Sequence, residues 1–167
     1  DDSSFSLETD YTYSGLGNLL TVSQQGASGE IPRARSFTYD SLSRLITSTN
    51  AENKTICYGI WSGSNCVYGY DLNGNLLNRT DARGIVTAYS YDALSRLISK
   101  SFSGETNPDG TPSAHPTLTS CYSYDAGFGA GSNSIGRLTG EWTQAGSCPA
   151  SAQDIPPSAM SWKNGIS

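Results

Sequence analysis

Several things are scarce in this chain of 167 residues. Charged side chains make up 15% of it, 10 Lys plus Arg against 15 Asp plus Glu, for a net charge of -5. A face that binds nucleic acid needs clustered cations to displace counterions from phosphates, so that partner class is set aside. No apolar run approaches the roughly eighteen residues that cross a bilayer, and no charged-then-apolar leader opens the chain, so no membrane insertion is expected. The single histidine, His115, sits among prolines, and there is neither a Gly-x-Ser-x-Gly elbow nor a Gly-rich phosphate loop. The chain is therefore read as a non-enzyme, with no catalytic residue and no cofactor. It has no Cys-x-x-Cys pair, so no metal site is assigned. Its only Met is Met160, which reads as a mature product or a piece cut from a longer polypeptide. Helical periodicity is missing too: the best stretch, Asp154 to Met160, is interrupted by Pro156 and Pro157.

What the chain has instead is turns and rings. It contains 18 Gly, 7 Pro and 27 Ser. Four segments align without gaps: Tyr11 to Leu19, Phe37 to Leu45, Tyr68 to Leu76 and Tyr89 to Leu97. A fifth, Tyr122 to Asp125, reaches its matching Ile135-Gly-Arg-Leu138 after a Gly-rich insertion. The shared pattern is aromatic-x-Tyr-Asp-x-x-Gly/Ser-Arg/Asn-Leu, with Ser14 in place of Asp in the first copy, and nine of the ten tyrosines occupy its aromatic slots. Rings two residues apart project from one face of a strand. The Asp next to the turn hydrogen-bonds the backbone two residues on, and Gly two places before Leu supplies a positive φ. The unit predicts a hairpin with a three-residue loop and a bulge, placing Tyr13 across from Leu19, Tyr39 from Leu45, Tyr70 from Leu76 and Tyr91 from Leu97. Each such pair is expected on a buried face. Ser43 and Ser95 replace the favoured Gly, so their turns should be less relaxed.

A second turn follows about ten residues later, at Asn50-Ala-Glu-Asn53 and at Asp81-Ala-Arg-Gly84. That spacing is an antiparallel meander. The predicted fold is all-β, a curved or spiralling sheet of repeated hairpins with little or no helix. It forms one unit over 1–167, with repeat cores near 11–20, 37–46, 68–77, 89–98 and 122–139. Tyr13, Tyr39, Tyr70, Tyr91 and Tyr124 are separated by 26, 31, 21 and 33 residues, so loops have been lengthened. The clearest insertion, 104–117, carries three prolines and is expected to be an exposed, mobile excursion. The tail 149–167 is irregular. A chain of this length is large enough to bury a sizeable core without covalent staples.

The Tyr-Asp repeats and their Gly-Arg-Leu halves resemble the RHS or YD-repeat family, most specifically over Gly74 to Lys100 and Tyr122 to Thr139. On this resemblance the structural motif residues are Tyr13, Tyr39, Asp40, Tyr70, Asp71, Tyr91, Asp92, Tyr124 and Asp125, with Leu19, Leu45, Leu76, Leu97 and Leu138. The family implies a long spiralling sheet of hairpins. In bacterial insecticidal toxin components and in teneurins this sheet closes into a hollow shell, which encloses a toxic C-terminal domain in the former and takes part in adhesion in the latter. Such shells need many more than five repeats, so this chain is expected to be an arc of one, or a shorter relative that assembles differently. The family's Asp-Pro-x-Gly self-cleavage pattern does not occur here, which puts autoproteolysis and toxin release outside this piece.

Cys57, Cys66, Cys121 and Cys148 allow three pairings. The favoured one joins 57 to 66, across a hairpin tip, and 121 to 148, around the fifth repeat; disulfides imply a secreted or cell-surface protein. Asp71-Leu-Asn-Gly-Asn75 resembles the start of a calcium loop, but Ala82 stands where a bidentate Glu belongs, so a structural turn is preferred. Asp40/Arg44 and Asp92/Arg96 could pair across their turns, although exposed pairs contribute little. The expected partners are neighbouring YD repeats of a parent chain, or other copies of this chain, meeting through unpaired sheet edges. A carbohydrate-binding module is the rival, with Trp61 and Trp142 as glycan contacts and Trp162 a third Trp outside the repeat slots. A hydrolase with two convergent carboxylates is a third possibility. Asn53 and Asn78 begin glycosylation sequons.

Overall fold

A computed structural model describes residues 8–26, 29–52, 54–125 and 133–149. The expected features at Asn53, at the Gly-rich stretch 126–132, and in the tail beyond Pro149, including Trp162 and the Asp154 to Met160 segment, lie outside these residues. Twelve strands are present and no helix among the described residues. In chain order they are β1 (Thr9–Tyr13), β2 (Leu19–Gln24), β3 (Arg33–Tyr39), β4 (Leu45–Asn50), β5 (Lys54–Cys57), β6 (Ile60–Ser62), β7 (Asn65–Val67), β8 (Asn78–Thr80), β9 (Val86–Tyr91), β10 (Leu97–Ser103), β11 (Thr119–Tyr124) and β12 (Leu138–Gln144). Ten form one antiparallel meander, in the order β1-β2-β3-β4-β5-β8-β9-β10-β11-β12, while β6 and β7 make a separate hairpin. The sheet is open, with β1 and β12 at its two edges.

The register follows from the turn chemistry. Tyr13 pairs with Leu19, Tyr39 with Leu45, Tyr70 with Leu76, Tyr91 with Leu97 and Tyr124 with Leu138. In the second repeat the Ser43 N–H donates to the Asp40 carbonyl and the Asp40 N–H to that of Arg44. This closes a three-residue loop whose extra residue sits beside Tyr39 as a bulge. Ser43 and Ser95 adopt φ of 60° and 59°, where Gly17 and Gly74 adopt 79° and 87°. A left-handed serine costs about 1 to 2 kcal/mol that glycine does not. Asp81 builds the same loop through Gly84 and Ile85. So does the insertion: Asn107 closes on Gly110 and Thr111, and Thr106 bridges Pro112. The excursion at 104–117 is thus exposed but folded as a further copy of the turn, whose Asn-Pro-Asp-Gly sequence hid behind its prolines.

The core differs from expectation. Only Val22, Cys57, Cys121 and Trp142 are buried apolar residues among those described. The tyrosine and leucine pairs, expected on a buried face, are partly covered and none is fully buried; at the two ends of the sheet Tyr13 is 60% exposed and Leu138 52%. Each pair covers its own partner, but among the described residues no second sheet is laid along the length of the large one to finish the burial. Small patches are sealed instead by disulfides. Cys57–Cys66 ties the β6–β7 hairpin back to β5, and Cys121–Cys148 brings the chain after β12 against Trp142. Covalent staples are needed here because chain length did not translate into depth.

Candidate functional site: the turn ladder

The chemistry of the repeat is concentrated in its turns. One oxygen of each turn aspartate accepts two backbone N–H groups: those of Leu42 and Arg44 on Asp40, Asn73 and Asn75 on Asp71, Leu94 and Arg96 on Asp92. In the first copy the Ser14 hydroxyl takes that place, at 3.2 and 3.1 Å from the N–H groups of Leu16 and Asn18. The second oxygen meets the side chain four residues on, Arg44 Nε at 2.6 Å, Asn75 Nδ2 at 2.8 Å or Arg96 Nε at 2.6 Å. These donors favour the anion. The Arg44 and Arg96 amides hold the carboxyls of Asp40 and Asp92 below their ordinary range, and the Asn75 side chain does the same for Asp71. Both Asp71 oxygens accept from N–H donors of the same segment, which is folded as a turn.

The turns are also joined to one another along one rim of the sheet. Asn18 Nδ2 donates to Ser43 Oγ at 3.0 Å, Arg44 Nη1 to the Asp71 carbonyl at 3.1 Å, and Asn75 Nδ2 to Ser95 Oγ at 3.1 Å. Arg96 then closes on Asp125 with two parallel bonds of 3.1 and 2.7 Å. Each residue that follows the Gly/Ser slot therefore reaches forward into the next repeat. The arginines also lie over the next repeat's tyrosine, 4.9 Å from Arg44 to the Tyr70 ring and 4.4 Å from Arg96 to that of Tyr124. In the opposite direction, the hydroxyls of Tyr70, Tyr91 and Tyr124 donate to the carbonyls of Leu45, Leu76 and Leu97, each in the preceding repeat. Burial of the Tyr70 and Tyr91 rings holds their phenols protonated above the usual tyrosine range.

Some of this was beyond sequence reasoning. Asp40/Arg44 and Asp92/Arg96 do pair, but half-buried and serving two repeats, where a solvated turn was expected. The serines in the Gly slot are the acceptors for the preceding asparagines, so their strained backbone has a use. The signal was present: Gly-Asn turns at 17–18 and 74–75 alternate with Ser-Arg turns at 43–44 and 95–96. Trp142 does not face solvent. It is 6% exposed with its indole N–H on Gln144, which removes it as a glycan contact. Trp61, 37% exposed, stands across from Cys66 on the small hairpin. In the Asn78 sequon the asparagine amide donates to the Tyr68 carbonyl and the buried Thr80 hydroxyl to that of Gly59. His115 is exposed in the insertion.

Fold and ladder define the class: an open antiparallel sheet of hairpin repeats welded at their turns. Residues 70–112, the third and fourth repeats and part of the insertion, match the family model of the RHS repeat. Over those residues the chain is similar to the RHS repeat. At the family level such repeats make shell-type scaffolds that assemble with neighbouring repeats of a parent chain, typically outside the cell or at its surface. Both disulfides fit that setting. No curated protein matches the chain. A crystal structure of TcdB2-TccC3 superposes with a TM-score of 0.39 at 16% identity, over 82% of this chain and 8% of that one. The chain thus spans less than a tenth of that structure's length, and so loose a superposition supports no statement about function.

Proposed function

We propose that this chain is a non-enzymatic structural scaffold working outside the cell, an arc of YD-repeat wall whose role is to enclose or connect. The observation that carries this reading is the forward-reaching ladder: each of the first four repeat turns offers a side chain to the next, so the unit is built to be continued. β1 and β12 are the edge strands of the described sheet, and an edge strand can add another. Either further repeats of a parent chain or other copies supply that strand, giving rings or filaments according to whether the rotation closes. The glycan-binding reading has lost Trp142, and Trp61 alone is no platform.

Thr9 on β1 and Thr143 on β12 are exposed edge positions, and lysine there blunts strand addition. Light scattering after size exclusion should show concentration-dependent association of the wild-type chain that Thr9→Lys with Thr143→Lys weakens. A double variant that associates as strongly as wild type, or a wild type that stays monomeric to about 1 mM, overturns edge-mediated assembly.

A further inference from the structure

The two rims of the sheet differ in chemistry. At the ladder rim the loop residues are Gly15-Leu16-Gly17, Ser41-Leu42-Ser43, Leu72-Asn73-Gly74, Ala93-Leu94-Ser95 and, in the fifth copy, Ser134-Ile135-Gly136. None is charged. Every loop presents one large aliphatic side chain, and all five are open to solvent: Leu16 73%, Leu42 70%, Leu72 105%, Leu94 72% and Ile135 86%. The opposite rim carries Arg33, Glu52, Asp81, Arg83, Glu105 and Asp109, with Ile31 and Leu118 standing singly. This row of exposed aliphatics between small uncharged neighbours, with the adjacent carboxylates turned inward onto backbone amides, is left largely uncovered by the described residues.

We propose that the aliphatic tips are a docking surface for a second copy of this chain, rim against rim. Three features select that occupant. Consecutive tips are two strands apart, a pitch of about 9.5 Å set by strand spacing. Another hairpin-repeat rim has the same pitch, so its leucines fit between these, flanked by Gly, Ser and Ala that allow close approach. Along this rim Asp40, Asp71, Asp92 and Asp125 are set against Arg44, Arg96 and Arg137, so little of the chain's net charge of -5 falls there and like copies repel one another only weakly. The rim also has enough extent: ten strands give a strip about 48 Å long, and at about 10 Å wide it would bury on the order of 1,000 Å² over two copies, the floor for a specific interface. This contact uses neither sheet edge and is independent of strand addition.

The test is made in the Thr9→Lys, Thr143→Lys background, where edge association is blunted. Sedimentation across a concentration series should still show a dimer, and Leu42→Ser, Leu72→Ser and Leu94→Ser together should weaken it roughly tenfold or more. Far-UV circular dichroism confirms that the triple variant folds; should it not, Leu72→Ser alone, at the most exposed tip, is read in the same way. A background protein monomeric to about 1 mM, or a dimer indifferent to the leucines, overturns the proposal and leaves the edge reading standing. Co-sedimentation with neutral phosphatidylcholine vesicles, lost in the triple variant while the protein stays monomeric, would assign the rim to a lipid surface and likewise overturn it.

Discussion

Repeats in this sheet are joined in two ways, and the contrast explains where each is used. The asparagine joints, Asn18 to Ser43 and Asn75 to Ser95, rest on one amide-to-hydroxyl bond each. The arginine joints, Arg44 to Asp71 and Arg96 to Asp125, add a stack on the next tyrosine, and each arginine, like Asn75 on Asp71, is also held by the aspartate of its own turn. Asparagine spans the shorter intervals of 26 and 21 residues between repeats, arginine the longer ones of 31 and 33. Lengthened intervals interrupt the backbone ladder. β5 meets β8 at the single pair Cys57 and Thr80, and β10 meets β11 over two pairs, whereas β2 and β3 share four. Where backbone pairing is thin, a stronger side-chain clamp and a disulfide take over. In a one-layer sheet, continuity between neighbours does the work that a core does elsewhere.

The largest effect should come from removing the covalent half of that reinforcement. Cys57–Cys66 lies within the stretch that Arg44 and Asp71 span, and Cys121, inside the stretch from Arg96 to Asp125, is bonded to Cys148 after β12, so reduction should loosen those stretches and leave the asparagine joints nearly untouched. A loss of about 2 to 4 kcal/mol per bridge is expected, read by thermal denaturation with and without reductant. Amide exchange should rise first around β5–β8 and β10–β11; uniform exchange across the sheet would show that the two joints are not distinct.

Next in size is the guanidinium. Arg96→Ala should lower the melting temperature clearly more than Asn75→Ala, because it releases Asp125, Asp92 and the Tyr124 ring together. Equal shifts in the two variants would erase the contrast.

Titration gives a third handle. The turn aspartates have folded pKa values below their ordinary 3.8. Their contribution is therefore complete above that value and is lost as pH falls from about 4 through the lower folded values. Tyr70, Tyr91 and Tyr122 are raised above 10.0, so their share is present below pH 10 and is lost as pH rises beyond it. Melting temperature against pH should be flat between these windows. Arg96→Ala should flatten the acid limb more than Asn75→Ala does.

The smallest effect is at the serines. Ser95→Gly relieves a left-handed residue but loses the acceptor for Asn75, two changes of opposite sign that should leave stability within about 1 kcal/mol of wild type. A double-mutant cycle with Asn75→Ala should isolate a coupling of about 0.5 to 1 kcal/mol; zero coupling would mean that the asparagine joint is not a joint.

The sequence alone was enough to place the five repeat hairpins, though not the turn inside the 104–117 insertion. A ring, a carboxylate and a glycine at fixed offsets dictate turn type, and turn type dictates which tyrosine faces which leucine, because all of these residues lie within one loop of each other. Tertiary structure decided everything that couples one hairpin to the next. Arg44 and Asp71 are 27 positions apart, and nothing local says that a guanidinium turned toward its own aspartate also reaches its neighbour. Trp142 looked like an exposed ring because the chain that covers it returns only through Cys148. Local chemistry set the shape of each unit; the spacing of strands in the finished sheet set which units touch, how little of them is buried, and why their turns must bear the load.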